Sequence, residues 1–326
     1  MTALLDEIVL CPLCREGRPE SNDEGYVCPA CGQAFPVLAG VPRLLDEVPV
    51  ESRQVQRVFD FEHRRFRESW YTRFEPRLVE QFLDDCRLPR EFFRGIRALD
   101  AGCGSGRWTY ALAELGADVV AFDLTAGGIE AVHENLAGRA NVSICQANLF
   151  QPPFAGESFD FVMSWGVLHH TPDTKAGFLQ LVPLVKPGGT LYVMVYERRN
   201  PVMFFFTNIV RFFMRRLPDE RRYGACKRLI VHNRRLAWVL GHFLMIVYRE
   251  PGSPVDEQTL QFGLYDAYSP RYNHLHTREE VTGWFEDAGF EQVTVVDVRG
   301  SVKVRGVRGP VPAGPKSAGT RAPTRS

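Results

Sequence analysis

Residues 98–108 read ALDAGCGSGRW, with three glycines at every second position after an apolar stretch that closes on an acid. A strand ending on Asp100 and turning through Gly102, Gly104 and Gly106 clears its backbone for a ligand to lie against it, because glycine tolerates positive φ and carries no Cβ. A dinucleotide fingerprint needs G-x-G-x-x-G, its third glycine letting helix and strand pack closely. The spacing here is G-x-G-x-G, and Arg107 stands where that third glycine belongs, so a dinucleotide is disfavoured.

Outward from this turn, apolar runs of strand length alternate with helical segments. IRALD, ADVVAFD, VSICQA, SFDFVMSW and GTLYVMVY read as strands; RWTYALAELG, AGGIEAVHENLAG and KAGFLQLVPLV read as helices. The pattern predicts an α/β fold: a Rossmann-like, mostly parallel, seven-stranded sheet with helices on both faces. Its ligand belongs at the carboxyl ends of the strands. Residues 199–262 break the alternation and predict a helical insertion after strand 5. The pattern resumes at HTREEVTGWFEDAGF, where Thr277 and Glu280 predict a capping box, and closes with EQVTVVDV and SVKVRGV.

S-adenosylmethionine (SAM), which has no phosphate, suits the glycine turn better than a dinucleotide. Asp100 can accept from its ammonium, and Asp123, closing the second strand, can take both ribose hydroxyls, a bidentate task for a carboxylate. The ordered segments LDAGCGSG, AFDLT, CQANLFQPPFAGESFDFVMSWGVLHHTPD and LVPLVKPGGTLYV closely resemble class I SAM-dependent methyltransferases. That resemblance implies that Asp100, Gly102, Cys103, Gly104 and Gly106 line the methionine part, that Asp123 and Leu124 hold the ribose, and that Asn148 and Leu149 face the adenine. Asn148 departs from the aspartate of many relatives; its carbonyl accepts more weakly than a carboxylate. Trp165 and Gly166, ending the fourth strand, would face the activated methyl.

Methyl transfer from sulfonium needs a base only when the acceptor has a proton to lose. The candidates are His169 and His170 in GVLHHTPD, and His276 in the segment YDAYSPRYNHLHT, which also holds Asp266, Tyr268, Tyr272 and His274. In the insertion, Val202, Phe205, Phe206, Ile209, Phe212 and Phe213 share one helical face, with Arg211, Arg215 and Arg216 near its end. This face predicts a lid on the core, an apolar pocket for a lipid, quinone or polyketide-like acceptor, or peripheral membrane contact through residues 202–216. No NPPY or DPPY run follows the fourth strand, and 39 Lys and Arg balance 39 Asp and Glu, which disfavours nucleic acid. The acceptor is expected to be a small, apolar molecule. An RNA methyltransferase, or a SAM-binding partner protein without catalysis, is the alternative.

Near the N-terminus, Cys11, Cys14, Cys28 and Cys31 form a C-x2-C-x13-C-x2-C arrangement. Two such knuckles predict a structural zinc ribbon, whose four thiolates leave no open coordination position. The segment resembles ribbons that accompany methyltransferases. The expected organisation is a ribbon over 1–45, a helical connector over 46–95 with Phe59, Phe66, Trp70 and Phe74 at helical spacing, the SAM domain over 96–308 and a disordered tail over 309–326. Metal removal is expected to unfold the ribbon and spare SAM binding. The N-terminus lacks signal-peptide character and the most apolar segments are shorter than a span, which predicts a cytoplasmic protein without a transmembrane helix.

Overall fold

A computed structural model describes residues 3–22, 25–66, 74–198, 201–232, 235, 257–296 and 301–310. Trp70, the apolar run 236–248 and most of the expected tail lie outside these residues.

The strand after which the glycine turn comes is β5 (Arg97–Ala101), at the centre of the sheet. Numbered along the chain, the strands before it are β1 (Glu20–Asn22), β2 (Gly25–Val27), β3 (Ala34–Leu38) and β4 (Val41–Leu44). Those after it are β6 (Asp118–Asp123), β7 (Val142–Ala147), β8 (Phe159–Trp165), β9 (Val185–Tyr196), β10 (Phe290–Val296) and β11 (Ser301–Arg308). Their order is β1-β2-β3-β4-β7-β6-β5-β8-β9-β11-β10. β5 pairs in parallel with β6 and β8, Leu99 lying opposite Val120 and Val162, while β11 returns antiparallel beside β9.

Strand alternation divides the core in two. Leu99, Val120, Phe122, Val162 and Val193 face one layer with Phe178 and Phe285. Ala98, Val119, Ala121, Phe161 and Met163 face the other, with Phe82, Trp108 and Leu112. The helices supplying these layers include α1 (Ala3–Ile8), α3 (Arg77–Cys86), α4 (Arg107–Glu114), α5 (Ala126–Asn135), α6 (Thr174–Leu181) and α10 (Arg278–Asp287). Thr125 caps α5 and Asp173 caps α6. The capping box of α10 forms as expected between Thr277 and Glu280.

The sheet has eleven strands where seven were expected. The additional four belong to the cysteine module, whose β4 runs parallel to β7 with Arg43 opposite Gln146 and Leu44 opposite Ala147. Left alone, β7 would expose a row of unpaired N–H and C=O groups; β4 covers that edge. The contact continues beyond the ladder, with Leu10 N donating to Pro153 O at 2.9 Å and Ala155 N to Ile8 O at 2.8 Å.

Three further helices form one layer. They are α2 (Val50–Arg65) from the connector, and α8 (Asp219–His232) and α9 (Glu257–Tyr268) from the insertion. They bury Val58, Phe66, Cys226, Ile230, Leu264 and Tyr265 against one another. Helix α7 (Pro201–Met214) packs beside α9. Its six-residue apolar face does not line an interior pocket; those side chains are exposed.

Candidate functional site

The glycine turn is stitched to the neighbouring strand, Gly102 N and Cys103 N both donating to Phe122 O at 2.8 and 3.0 Å. Gly102, Gly104 and Gly106 all have positive φ, and Cβ atoms there would meet Val167, His63 and Val132 at 2.4, 2.8 and 2.5 Å. Both the backbone and the surroundings therefore require glycine.

Two acids converge on this turn. Asp100 is buried and accepts from Thr109 Oγ1 at 2.7 Å. Burial pushes its carboxyl up to about 7, opposed by the Thr109 hydroxyl and assisted by the charge of Asp123. Asp123 accepts from Gly104 N at 3.0 Å through one oxygen, and from the amide and hydroxyl of Thr125 at 2.8 and 2.7 Å through the other. A carboxylate has about four acceptor sites, so after these three bonds one remains for a ribose hydroxyl, where the sequence suggested both. Leu124 sits beside it, its carbonyl accepting from Gln56 and Gln146. Asn148 uses its amide oxygen on Phe150 N at 3.0 Å, and Leu149 is buried. At the same turn, the Ser105 hydroxyl and the Trp108 indole N–H are buried without a hydrogen-bond partner. Such orphaned donors suit the carboxylate of an amino-acid ligand. The set therefore fits SAM; these two donors were not singled out in the sequence, although Ser105 stands between Gly104 and Gly106 and Trp108 two residues beyond.

Cys103 is buried, and burial holds its thiol well above the ordinary range, so it is a wall and not a nucleophile. Trp165, expected to face the activated methyl, is anchored by its neighbours. Its indole N–H donates to Asp85 at 2.8 Å and its ring packs edge-on against Trp108, so the side chain is held by α3 and α4. Asp85 also accepts from Tyr192 and pairs with buried Lys303.

The two candidate bases separate clearly. Both ring nitrogens of His276 are engaged, Nε2 with Thr174 Oγ1 at 3.0 Å and Nδ1 with Glu280 at 3.3 Å, and its ring packs on Trp284. It braces the start of α10, leaving no nitrogen for an acceptor proton. His170 Nδ1 lies 3.0 Å from the carbonyl of Tyr272, so Nδ1 carries the proton and Nε2 the lone pair. Nε2 is buried without a hydrogen bond, 3.7 Å from Asp266 Oδ1. Asp266 in turn accepts from the Tyr196 hydroxyl at 2.7 Å. Burial lowers the His170 pKa against the opposing charge of Asp266, so the ring is neutral near pH 7. His169, tilted by 35° against Tyr196 with ring centroids 3.8 Å apart, is also buried with both nitrogens unbonded, and burial lowers its pKa further than that of His170.

Helix α2 closes over both halves of this arrangement with Phe59, Glu62 and His63, spaced i, i+3, i+4. Phe59 packs on His170 with ring centroids 5.1 Å apart, and His63 lies against Gly104 and Gly128. Glu62, only 2% exposed, leaves Oε2 without a partner. Burial, reinforced by the nearby Asp266 charge, raises its carboxyl well above the usual range. Glu62 and His63 were not singled out in the sequence. Two ionisable residues inside an apolar stripe were the available signal.

At the far edge, the sulfur atoms of Cys11, Cys14, Cys28 and Cys31 lie within 4.8 Å of one another, with contacts of 3.7 and 3.6 Å. Tetrahedral zinc with bonds of roughly 2.3 Å needs sulfur–sulfur edges of about 3.8 Å, so the set fits. Backbone amides of Gly17 and Glu16 pull the Cys14 thiol down to about 6.

This fold, with its glycine turn and paired acids, resembles that of class I SAM-dependent methyltransferases. Residues 99–193 match a family model described as a methyltransferase domain. A ubiquinone biosynthesis O-methyltransferase of Sinorhizobium fredii is 32% identical over 123 residues, 37% of this chain and 49% of that protein. One from Cereibacter sphaeroides is 36% identical over 144 residues, covering 43% and 57%. A demethylmenaquinone methyltransferase of a Geobacillus species is 30% identical over 127 residues, covering 37% and 53%. The chain thus spans about half the length of the curated relatives it matches. An O-methyltransferase family protein from Burkholderia thailandensis superposes with a TM-score of 0.48 at 16% identity, covering 82% of this chain and 66% of that one.

Proposed function

We propose that the chain methylates a small, apolar, hydroxyl-bearing acceptor of quinone or polyketide-like type. The observation that carries this reading is His170, a buried neutral imidazole whose lone-pair nitrogen has no hydrogen bond, lying under Phe59 and beside Asp266. The apolar cover suits an apolar acceptor, and the names of the relatives concern ubiquinone and demethylmenaquinone.

When bound, SAM supplies a methyl group activated on sulfur for direct displacement. Asp100, Ser105 and Trp108 would hold its amino-acid part, Asp123 and Leu124 its ribose, and Asn148 and Leu149 its adenine. Alignment and exclusion of water are the main contributions a protein makes to such a displacement. Phe59 and the rest of α2 provide that cover. His170 Nε2 takes the acceptor's hydroxyl proton as the new oxygen–carbon bond forms, and Asp266 stabilises the resulting imidazolium. Glu62 donates a hydrogen bond to a second oxygen of the acceptor. The four cysteines would hold a structural zinc, without a part in the reaction. Cytoplasmic placement accords with the intracellular supply of SAM.

The test is incubation of the purified protein with methyl-labelled SAM and host extract, followed by separation into organic-soluble, RNA and protein fractions. Organic-soluble label is expected. Label in RNA would turn the ribbon into the substrate-gripping element and overturn the acceptor class; no label in any fraction would favour a SAM-binding protein without catalysis.

A further inference from the structure

Helix α7 is amphipathic in the reverse sense for a helix facing water. Thr207 and Arg211 are turned inward, 7% and 3% exposed, whereas Val202, Phe205, Phe206, Ile209, Phe212 and Phe213 are each between 41% and 63% exposed. The orientation is held by hydrogen bonds. The Arg211 guanidinium donates to the carbonyls of Ala267 and Pro270, and rotating the helix to hide its phenylalanines would leave that buried charge unsatisfied. A contiguous apolar face of this kind marks contact with another apolar phase.

Charge selects the occupant. The chain as a whole is balanced, with 39 basic and 39 acidic residues, yet residues 201–232 hold seven Lys and Arg against two Asp and Glu. Arg215, Arg216, Arg221, Lys227 and Arg228 are exposed. Arg216 lies over the Phe212 ring, 3.4 Å from its centroid, so positive charge stands at the margin of the apolar face. A second copy of the chain would bring the same positive field to the contact and be repelled. Among the described residues no helix is long and apolar enough to cross a bilayer, which leaves a seat in the plane of the interface.

We propose that α7 is a membrane-surface anchor, its phenylalanines inserted at the acyl boundary of an anionic phospholipid bilayer and its arginines at headgroup level. The proposal stands on the helix and its charge, independently of the acceptor. It is tested by flotation of the full chain with phosphatidylcholine vesicles that contain or lack about 30% phosphatidylglycerol. The protein is expected to float with the anionic vesicles, at least tenfold less with phosphatidylcholine alone, and to be released by about 0.5 M NaCl. Phe205→Glu combined with Phe213→Glu is expected to lower partitioning tenfold or more while leaving SAM affinity, read by calorimetry, unchanged. Absence of flotation with both vesicle types would overturn the proposal, as would a double variant that floats like the wild type. A solution dimer that dissociates on the same substitutions, seen by light scattering, would assign the face to a second copy instead.

Discussion

Asp123 shows how one side chain can serve fold and ligand together. Its oxygens secure Gly104 N and Thr125, so the carboxylate proposed to hold the ribose is oriented before any ligand arrives. Asp123→Ala is expected to weaken SAM binding tenfold or more, a charged hydrogen bond contributing roughly 1.5–3 kcal/mol; unchanged affinity by calorimetry would refute the ribose assignment. Asp100 makes a separate prediction. Because burial raises its carboxyl to about 7, the free protein holds a proton there at pH 6 that an ammonium ligand would displace. SAM binding is therefore expected to release a proton at pH 6 and little at pH 8, read by calorimetry in buffers of different ionisation enthalpy. The sign for stability is opposite to that of a salt-bridged acid: the raised value favours the folded chain below the ordinary carboxylate range, and this contribution is lost as pH rises through about 7. For the base, His170→Ala is expected to depress turnover far more than SAM affinity. The acid limb of the wild-type pH–rate profile should fall below the ordinary histidine value, since burial lowers this ring. A limb at or above that value would return His170 to packing.

Among the elements, α10 shows local sequence sufficing. Its capping box joins Thr277 Oγ1 to Glu280 N at 3.2 Å and Glu280 Oε2 to Thr277 N at 3.1 Å. The same glutamate receives His276 and Arg198, so the cap also ties the chain to the end of β9. Thr277→Ala is expected to cost about 1 kcal/mol, measured by denaturant unfolding, with SAM affinity unaltered. Helix α2 is the contrasting case. Of the aromatics whose spacing announced a buried face, Phe59 lies in α2 and packs on His170, Phe66 is buried just past its end and Phe74 stacks on Tyr110 outside the helix; nothing local announced that Glu62 and His63 would sit beside Phe59. Their partners Asp266 and Gly104 lie far along the chain, and only the folded arrangement brings them within range. In α7 the expected apolar stripe is present, and its direction reverses because Arg211 finds carbonyl partners on the inner side.

For the whole molecule, the decisive feature is the ribbon's place at the sheet edge. Cys11, Tyr26, Cys28 and Phe35 are buried in the same core as Phe122, Ala147 and Phe154. Arg15 reaches the carbonyl of Pro152 at 2.5 Å, close to the residues expected to face adenine. The expectation that metal loss would spare SAM binding is replaced by a coupled one. Chelation, or Cys28→Ser, is expected to lower the melting temperature of the entire chain in one transition and to weaken SAM binding with it. Two separate transitions, the higher one unchanged, would show an independent ribbon.

The sequence alone determined what short-range order can carry. The alternation of strands and helices, the glycine turn with Asp100 and Asp123, the cap at Thr277 and the four-cysteine spacing all depend on residues near one another, where periodicity and backbone geometry leave few choices. Tertiary structure decided that both nitrogens of His276 are engaged while His170 keeps Nε2 free, that Trp165 pairs with Asp85, that the cysteine module extends the sheet from seven strands to eleven, and that α7 turns its phenylalanines outward. These outcomes depend on partners between 20 and more than 200 residues apart, as Lys303 with Asp85 illustrates at a separation of 218. Such pairings are selected by competition for burial and hydrogen bonds across the whole fold, which no local pattern encodes.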